Sequence, residues 1–220
     1  MRPIHELRQV ISTEHFPSAA LTGILEKKSP AAKSMTQRTQ QNMTIHRMIK
    51  AGEIVRVKRG LYVFGQAYQK QALSMFSLGN LVYGPSYVSL ESALSFYGLI
   101  PEFVPVVTSA ITKNTKKFKT TIGSFNYRKI PTEVFPIGVH AHEGQSGNFL
   151  IAIKEKALLD KIYLDGPRVD LARFTIESLR MEIEDLQALN RKSLLLIAER
   201  YSSKTFLKAV TQFVKSIFLS

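Results

Sequence analysis

Apolar positions in the first fifty residues recur at helical intervals. Ile4, Leu7, Val10 and Ile11 share one side of a short helix, with Pro3 in its first turn, where a missing amide donor is harmless. Ala20, Leu21, Ile24 and Leu25 repeat that spacing in a second helix, opened by Pro17 and running to about Lys27 before Ser29-Pro30 punctuates the chain. A third helix is expected to begin between Ser34 and Gln37 and to end at Ala51. At about 100° per residue its Ile45, Met48 and Ile49 cluster on the inward side. Gly52 stands where a helix end takes a left-handed residue. The period then falls to two: Ile54 to Val57 and Leu61 to Val63 alternate as half-buried strands, and Lys58-Arg59-Gly60 supplies the turn between them. The pattern is a small hairpin with a cationic tip.

Gly65 to Lys70 reads as a joint, beyond which the chain becomes more apolar and aromatic. SYVSLESALSFYGLIPE predicts a helix capped by Ser89, with Glu91 in its first turn, Leu90, Ala93, Leu94 and Tyr97 inward, and Gly98 as its stop. Val104 to Ile111 reads as a buried strand. Phe118 to Ile122 and Phe125 to Ile130 read as a hairpin turning at Gly123-Ser124. Phe149 to Ile153 is a further strand running into the helix KEKALLDKIYL, with Ala157, Leu158 and Ile162 inward. Three helical segments follow Gly166-Pro167. Their inward sets are Ile176, Leu179, Ile183 and Leu186, then Leu194, Leu195, Ile197 and Ala198, then Phe206, Val210, Phe213, Val214 and Ile217. The expected fold is therefore α+β in two domains, 1–70 and 71–220, the second mixed α/β with a helical C-terminal segment.

The polar arc of the third helix gives the first domain a candidate function. It carries Gln37, Gln40, Thr44 and Arg47, with Met43 and Lys50 at one margin and Gln41 at the other. Gln makes two hydrogen bonds to adenine in the major groove, Arg does so to guanine, and Thr contacts phosphate or a thymine methyl. A short helix of this kind followed by a basic hairpin bearing Arg56, Lys58 and Arg59 is the pattern of a winged helix-turn-helix, in which helix and wing both reach DNA. A solvated helix face and an ordinary hairpin are the plain alternatives. Arg38 and Asn42 fall toward the inward arc, against their polarity, which points either to a slightly different helix start or to their facing phosphates.

Charge favours the DNA reading. The chain has a net charge of +13, and residues 1–70 hold 12 Lys and Arg against 4 Asp and Glu, a net of +8. Such a field attracts polyanions, of which nucleic acid is the usual one in a cytosol. A basic membrane-surface helix would need a large apolar face opposite its charges, and no early segment has one. No run approaches the roughly 20 apolar residues that span a bilayer, and MRPIHELRQV lacks the apolar centre of a signal peptide, so a cytoplasmic protein is expected.

Catalytic and metal patterns are sparse. With no cysteine there is no disulfide, thiol nucleophile or Cys-ligated zinc. Neither phosphate-cradling glycine pattern nor a GxSxG elbow occurs. His140 and His142, beside Glu143 in a predicted loop, are two ligands that seldom make a site without a third from elsewhere, and Glu102, Glu133, Glu155 and Asp160 are dispersed. No cofactor or metal is expected, and no enzymatic activity. Lys113, Lys116, Lys117 and Lys119 form a second basic cluster, read first as a solvated loop. Glu177, Glu182, Glu184 and Asp185 form an acidic one, read first as a solvated face and otherwise as a docking surface for a basic partner or for the basic front of a second copy.

Three blocks in this order resemble the AbiEi family, the antitoxin and transcriptional repressor of type IV toxin-antitoxin and phage-abortive-infection systems. They are RMIKAGEIVRVKRGLYVFG from Arg47, SYVSLESALSFYGLIPE from Ser86 and IAIKEKALLDKIYL from Ile151. The resemblance implies an N-terminal winged helix-turn-helix that binds inverted repeats in its own promoter, and an antitoxin-like C-terminal domain that counters a nucleotidyltransferase toxin. Onto this chain it carries Arg47, Lys50, Arg56, Lys58 and Arg59 as DNA contacts. It leaves open whether toxin is touched directly and whether copies associate on the DNA, and it does not extend past Leu171. Two other classes stay in view: a DNA-acting enzyme with a nuclease-like second domain, which needs convergent carboxylates, and a stand-alone ligand-sensing regulator, which needs an apolar pocket.

Overall fold

The computed structural model describes residues 2–28, 35–102, 104–144, 146–167 and 170–218, with the side chains of 27, 28 and 35–37 left out. The punctuation expected at Ser29-Pro30 therefore lies outside the described residues, as does the side chain of Gln37. Among the described residues the chain is mixed α and β, with ten α-helices and two sheets. It forms two compact units, residues 1–74 with 120–122 and 144–147, and residues 75–119, 123–143 and 148–220.

In the first unit helix α1 (Pro3–Val10) is followed by strand β1 (His15–Pro17), helices α2 (Ser18–Lys28) and α3 (Met35–Lys50), and strands β2 (Ile54–Lys58) and β3 (Leu61–Phe64). The sheet order is β1-β3-β2, antiparallel throughout. β1 is a correction: Pro17 ends a strand paired with Leu61 instead of opening a helix. A central β3 explains why Leu61, Tyr62, Val63 and Phe64 are all buried, where a two-stranded hairpin would bury alternate residues. Ile4, Leu7, Phe16, Leu21, Ile24, Leu25, Met48 and Phe64 belong to the core of this unit. Val10, expected inward, is 75% exposed at the last turn of α1, and Ile11 has already left the helix.

The second unit is built on a six-stranded sheet of order β6-β7-β5-β4-β9-β8. Its strands are β4 (Ser86–Val88), β5 (Val106–Ile111), β6 (Lys116–Thr120), β7 (Gly123–Lys129), β8 (Val139–His142) and β9 (Phe149–Ala152). β5 and β7 run parallel, as do β4 and β9, while β4-β5 and β8-β9 are antiparallel. Helix α4 (Met75–Val82) lies on one face. It comes so close at Gly79 that a Cβ there would sit 3.0 Å from a Val107 methyl, and the Tyr127 hydroxyl donates to the Gly79 carbonyl at 2.6 Å. The other face, bearing Tyr87 and Thr108, is covered by α5 (Leu90–Phe96) and α6 (Lys154–Asp165).

Beyond α6 come α7 (Leu171–Arg173), continuing as a π-helical turn over Phe174–Ser178, then α8 (Ile183–Gln187), α9 (Arg191–Glu199) and α10 (Lys204–Phe218). The first of the three expected segments is in fact two. Arg180, at φ 52°, breaks it, leaving Leu179 and Leu186 buried but Ile176 and Ile183 exposed. α10 follows its expected pattern, with Val210, Phe213, Val214 and Ile217 buried.

Candidate nucleic-acid interface

The C-terminus of α3 is fixed by a glycine turn. Gly52 takes φ +68°, its amide bonds to the Ile49 carbonyl at 3.0 Å, and the Glu53 amide reaches back to Met48 at 2.9 Å. That cap delivers the chain directly into β2. Met48 is buried, Ile45 and Ile49 pack beside it, and among the described side chains nothing on α3 before Ile45 joins the core. From Arg38 to Met43 the helix therefore stands clear of it. Arg38, Thr39, Gln40, Asn42 and Met43 are all exposed, and Gln41 is half-buried. Arg38 and Asn42 thus correct the sequence reading: their angular position is inward, but no core lies beneath it at that end. They extend the candidate surface.

Thr44 is half-buried and its hydroxyl donates to the Gln40 carbonyl at 3.0 Å, a local bond that leaves its methyl and an oxygen lone pair for a ligand. Arg47 and Lys50 are exposed in the last turn, where cations also complement the helix dipole.

In the hairpin the turn residues are Arg59 and Gly60, the latter at φ +86°, while Lys58 belongs to β2. The pairing shifts register between Arg56 and Lys58, a bulge of the kind that re-aims side chains. Arg56 and Arg59 are exposed. Lys58 is half-buried, and burial holds its ammonium below the ordinary lysine range. The Gly60 carbonyl accepts the Ser18 amide at 3.0 Å, which ties the turn to the start of α2. Two carboxylates of this unit are engaged elsewhere: Glu53 pairs with Arg2, and Glu14 with Arg8. Among the described residues none pairs with Arg47, Lys50, Arg56 or Arg59.

The second unit disperses its candidate chemistry. Glu102 pairs with Arg180 at 2.7 Å, Glu155 accepts the Asn190 amide at 2.7 Å, and Glu133 is exposed. His142 lies on β8 rather than in a loop and packs between Phe96 and Phe149, with ring centroids 5.0 and 4.9 Å away. Among the described residues no three His, Asp or Glu are grouped to hold a metal.

Asp160, by contrast, is fully buried with Lys156, one turn earlier on α6. Its carboxylate also accepts from Ser89 at 2.7 Å, Tyr201 at 2.6 Å and Tyr87 at 3.0 Å. Ser89 therefore does not cap α5 through its side chain; its hydroxyl is spent on Asp160, and Leu90 follows in the left-handed region at φ 52°. Burial pushes the Lys156 ammonium down against the pull of Asp160, and pushes both tyrosines up, the nearby carboxylate adding to the effect. With Lys156 also donating to the Tyr201 hydroxyl at 3.1 Å, the hydrogen bonds of the cluster close on one another, and it has the form of a structural lock.

A cleft of about 370 Å³ between α6 and α10 is lined by Tyr163, Pro167, Leu171, Thr205 and Phe206 among others. Among the described residues no helix is long and apolar enough to cross a membrane. Compared with models of known protein families and with curated proteins, the chain matches none.

Proposed function

We propose that this protein is a non-enzymatic DNA-binding repressor and antitoxin of the AbiEi type, working in the cytoplasm on double-stranded DNA. In this reading the first unit is a winged helix-turn-helix, α3 enters the major groove, and the β2-β3 turn is the wing. One observation carries it: an α3 exposed at Arg38, Thr39, Gln40, Asn42 and Met43, joined through β2 to a basic turn, with Arg47, Lys50, Arg56 and Arg59 unpaired among the described residues. The strand order β1-β3-β2 around three helices agrees with that topology. Gln40, Arg47 and the added Arg38 and Asn42 are the base-reading candidates. Arg56, Lys58 and Arg59 are the phosphate contacts.

The antitoxin half of the reading, and a nucleotidyltransferase as the toxin countered, rest on the three sequence blocks and their order. The test is binding of the full chain to its own upstream DNA. A duplex carrying an inverted repeat should bind more tightly than a scrambled duplex, and Arg47→Ala with Arg59→Ala should remove most of that preference. Equal affinity of the wild type for both duplexes would refute the repressor. Co-expression with the neighbouring toxin gene tests the antitoxin: survival should require this chain.

A further inference from the structure

From Phe103 to Thr132 the chain has six Lys and Arg and no carboxylate. Arg128 is bound to Asp165 at 2.7 Å, which leaves five lysines, and Lys113, Lys116, Lys117, Lys119 and Lys129 are all exposed. Among the described residues none of the five has a carboxylate partner. They gather on the β6 edge of the second unit's sheet, where the Lys129 amide donates to the Thr115 hydroxyl at 3.1 Å and holds the 112–115 loop beside the end of β7.

Aromatic rings stiffen this edge. Tyr83, Phe118 and Tyr127 form a cluster with centroids 5.3 to 5.7 Å apart. The Lys116 ammonium sits 5.1 Å from the Phe118 ring and 5.6 Å from Tyr83, and Lys113 lies 5.8 Å from Tyr83 while donating to the Gly84 carbonyl at 2.9 Å. Strand alternation puts Lys117 and Lys119 on the face opposite Lys116 and Phe118, so cations flank the edge on both sides.

We infer that this lysine-dressed edge is a second nucleic-acid surface, one that grips the phosphate backbone of double-stranded DNA without reading bases. The choice of polyanion rests on the DNA-binding reading of the first unit. Protection of an open edge against strand pairing accounts for lysines on β6. It does not require Lys113 in the preceding loop, Lys129 on the neighbouring strand, or a thirty-residue stretch without a carboxylate. A surface with such one-signed charge and ring-held ammonium groups suits a backbone of regularly spaced phosphates.

The test uses the full chain with Lys113, Lys116, Lys117 and Lys119 changed to Gln, titrated with random-sequence duplex over a salt series. Affinity should fall by a similar factor on random and promoter DNA. The slope of log affinity against log salt should become shallower by roughly 0.9 for each phosphate that is no longer neutralised. Repeating the pair in an Arg47→Ala, Arg59→Ala background weakens the α3 and wing contributions, and the same lysine-dependent loss of affinity and of salt slope should persist there. A Lys→Arg version of the four sites should bind as wild type. Should the fourfold variant misfold, Lys117→Gln with Lys119→Gln spares the ring-stacked lysine and should show a smaller change of the same sign.

An unchanged slope in a folded variant overturns the proposal, as does a variant that self-associates while binding DNA normally, which would make the lysines edge protection alone. Lysine-dependent binding to anionic phosphatidylglycerol vesicles without lysine-dependent DNA binding also overturns it. Wild-type failure to bind any DNA sinks this and the repressor reading together, whereas wild-type binding that the lysines do not affect sinks only this one.

Discussion

The two units use charged side chains in opposite ways. In the first, Arg47, Lys50, Arg56 and Arg59 project from a helix and a turn with no carboxylate partner among the described residues. In the second, Lys156 and Asp160 are fully buried and tied to Ser89, Tyr87 and Tyr201. Exposed cations contribute little to folding, because surface charges are screened and well solvated, so they remain free for a ligand. A buried pair has lost its water, and removing one partner leaves the other stranded. Function should therefore be separable from stability in the first unit, while stability is the main property at stake in the second unit's cluster.

The largest effect expected is at that cluster. Lys156→Met should destabilise the second unit by about 3–5 kcal/mol, the usual cost of breaking a buried ion pair, and should leave DNA affinity unchanged while the protein is folded. Adding Asp160→Asn should restore part of the loss, since an amide carries no buried charge, its oxygen accepting on one side of the site and its NH2 donating to the hydroxyl oxygen on the other. Denaturant unfolding of the three proteins measures this. A single-mutant loss below about 1 kcal/mol would show that water reaches the pair and would erase the contrast between the units.

Next in size is Arg47. Arg47→Ala should leave unfolding nearly unchanged, because the residue is exposed, and should cost about 1–3 kcal/mol at one base pair of the promoter if the guanidinium is bidentate to guanine. Binding to the promoter, a point-substituted promoter and scrambled DNA at fixed salt separates the outcomes. A uniform loss on all three makes Arg47 a phosphate contact. Lys58→Ala with Arg59→Ala should instead weaken specific and random DNA alike and flatten the salt dependence. Lys58, being half-buried, should contribute the smaller share.

Much of this architecture is legible in the chain because its signals are local. The span and cap of α3, the positions of β2 and β3, and the inward faces of α6, α9 and α10 follow from periodicity and from Gly52. What escaped depends on tertiary partners. β1 is three residues including a proline, too short for alternation to show, and exists because β3 has a free edge beside it. The exposure of Arg38 and Asn42 reflects where the core stops, which helical angle does not encode. Asp160 reads in the chain only as one of four dispersed carboxylates; the packing of α5, α9 and the sheet around α6 buries it together with Lys156. Their one sequence signal is that they directly flank the apolar run Ala157, Leu158 and Leu159.

The smallest predicted effect tests whether burial matters in the first unit too. His15 lies on β1, half-buried, and burial lowers its pKa below the ordinary histidine value of 6.5, partly offset by the neighbouring Glu14 carboxylate. As pH falls through 6.5 the unfolded chain takes up a proton that the folded His15 still refuses, so the unfolded state binds more protons and stability declines toward the folded pKa. Above that value the imidazole is neutral in both states and the contribution is flat. The melting temperature of the first unit should thus drop modestly between about pH 7 and about pH 5, and His15→Gln, which cannot titrate, should reduce that drop without changing the value at neutral pH. The difference between the two proteins isolates His15 from the exposed His5 and His46. An identical pH profile in both, or a wild type that gains stability on acidification relative to the variant, would mean that Glu14 outweighs burial and that His15 is held as a cation like the exposed charges of α3.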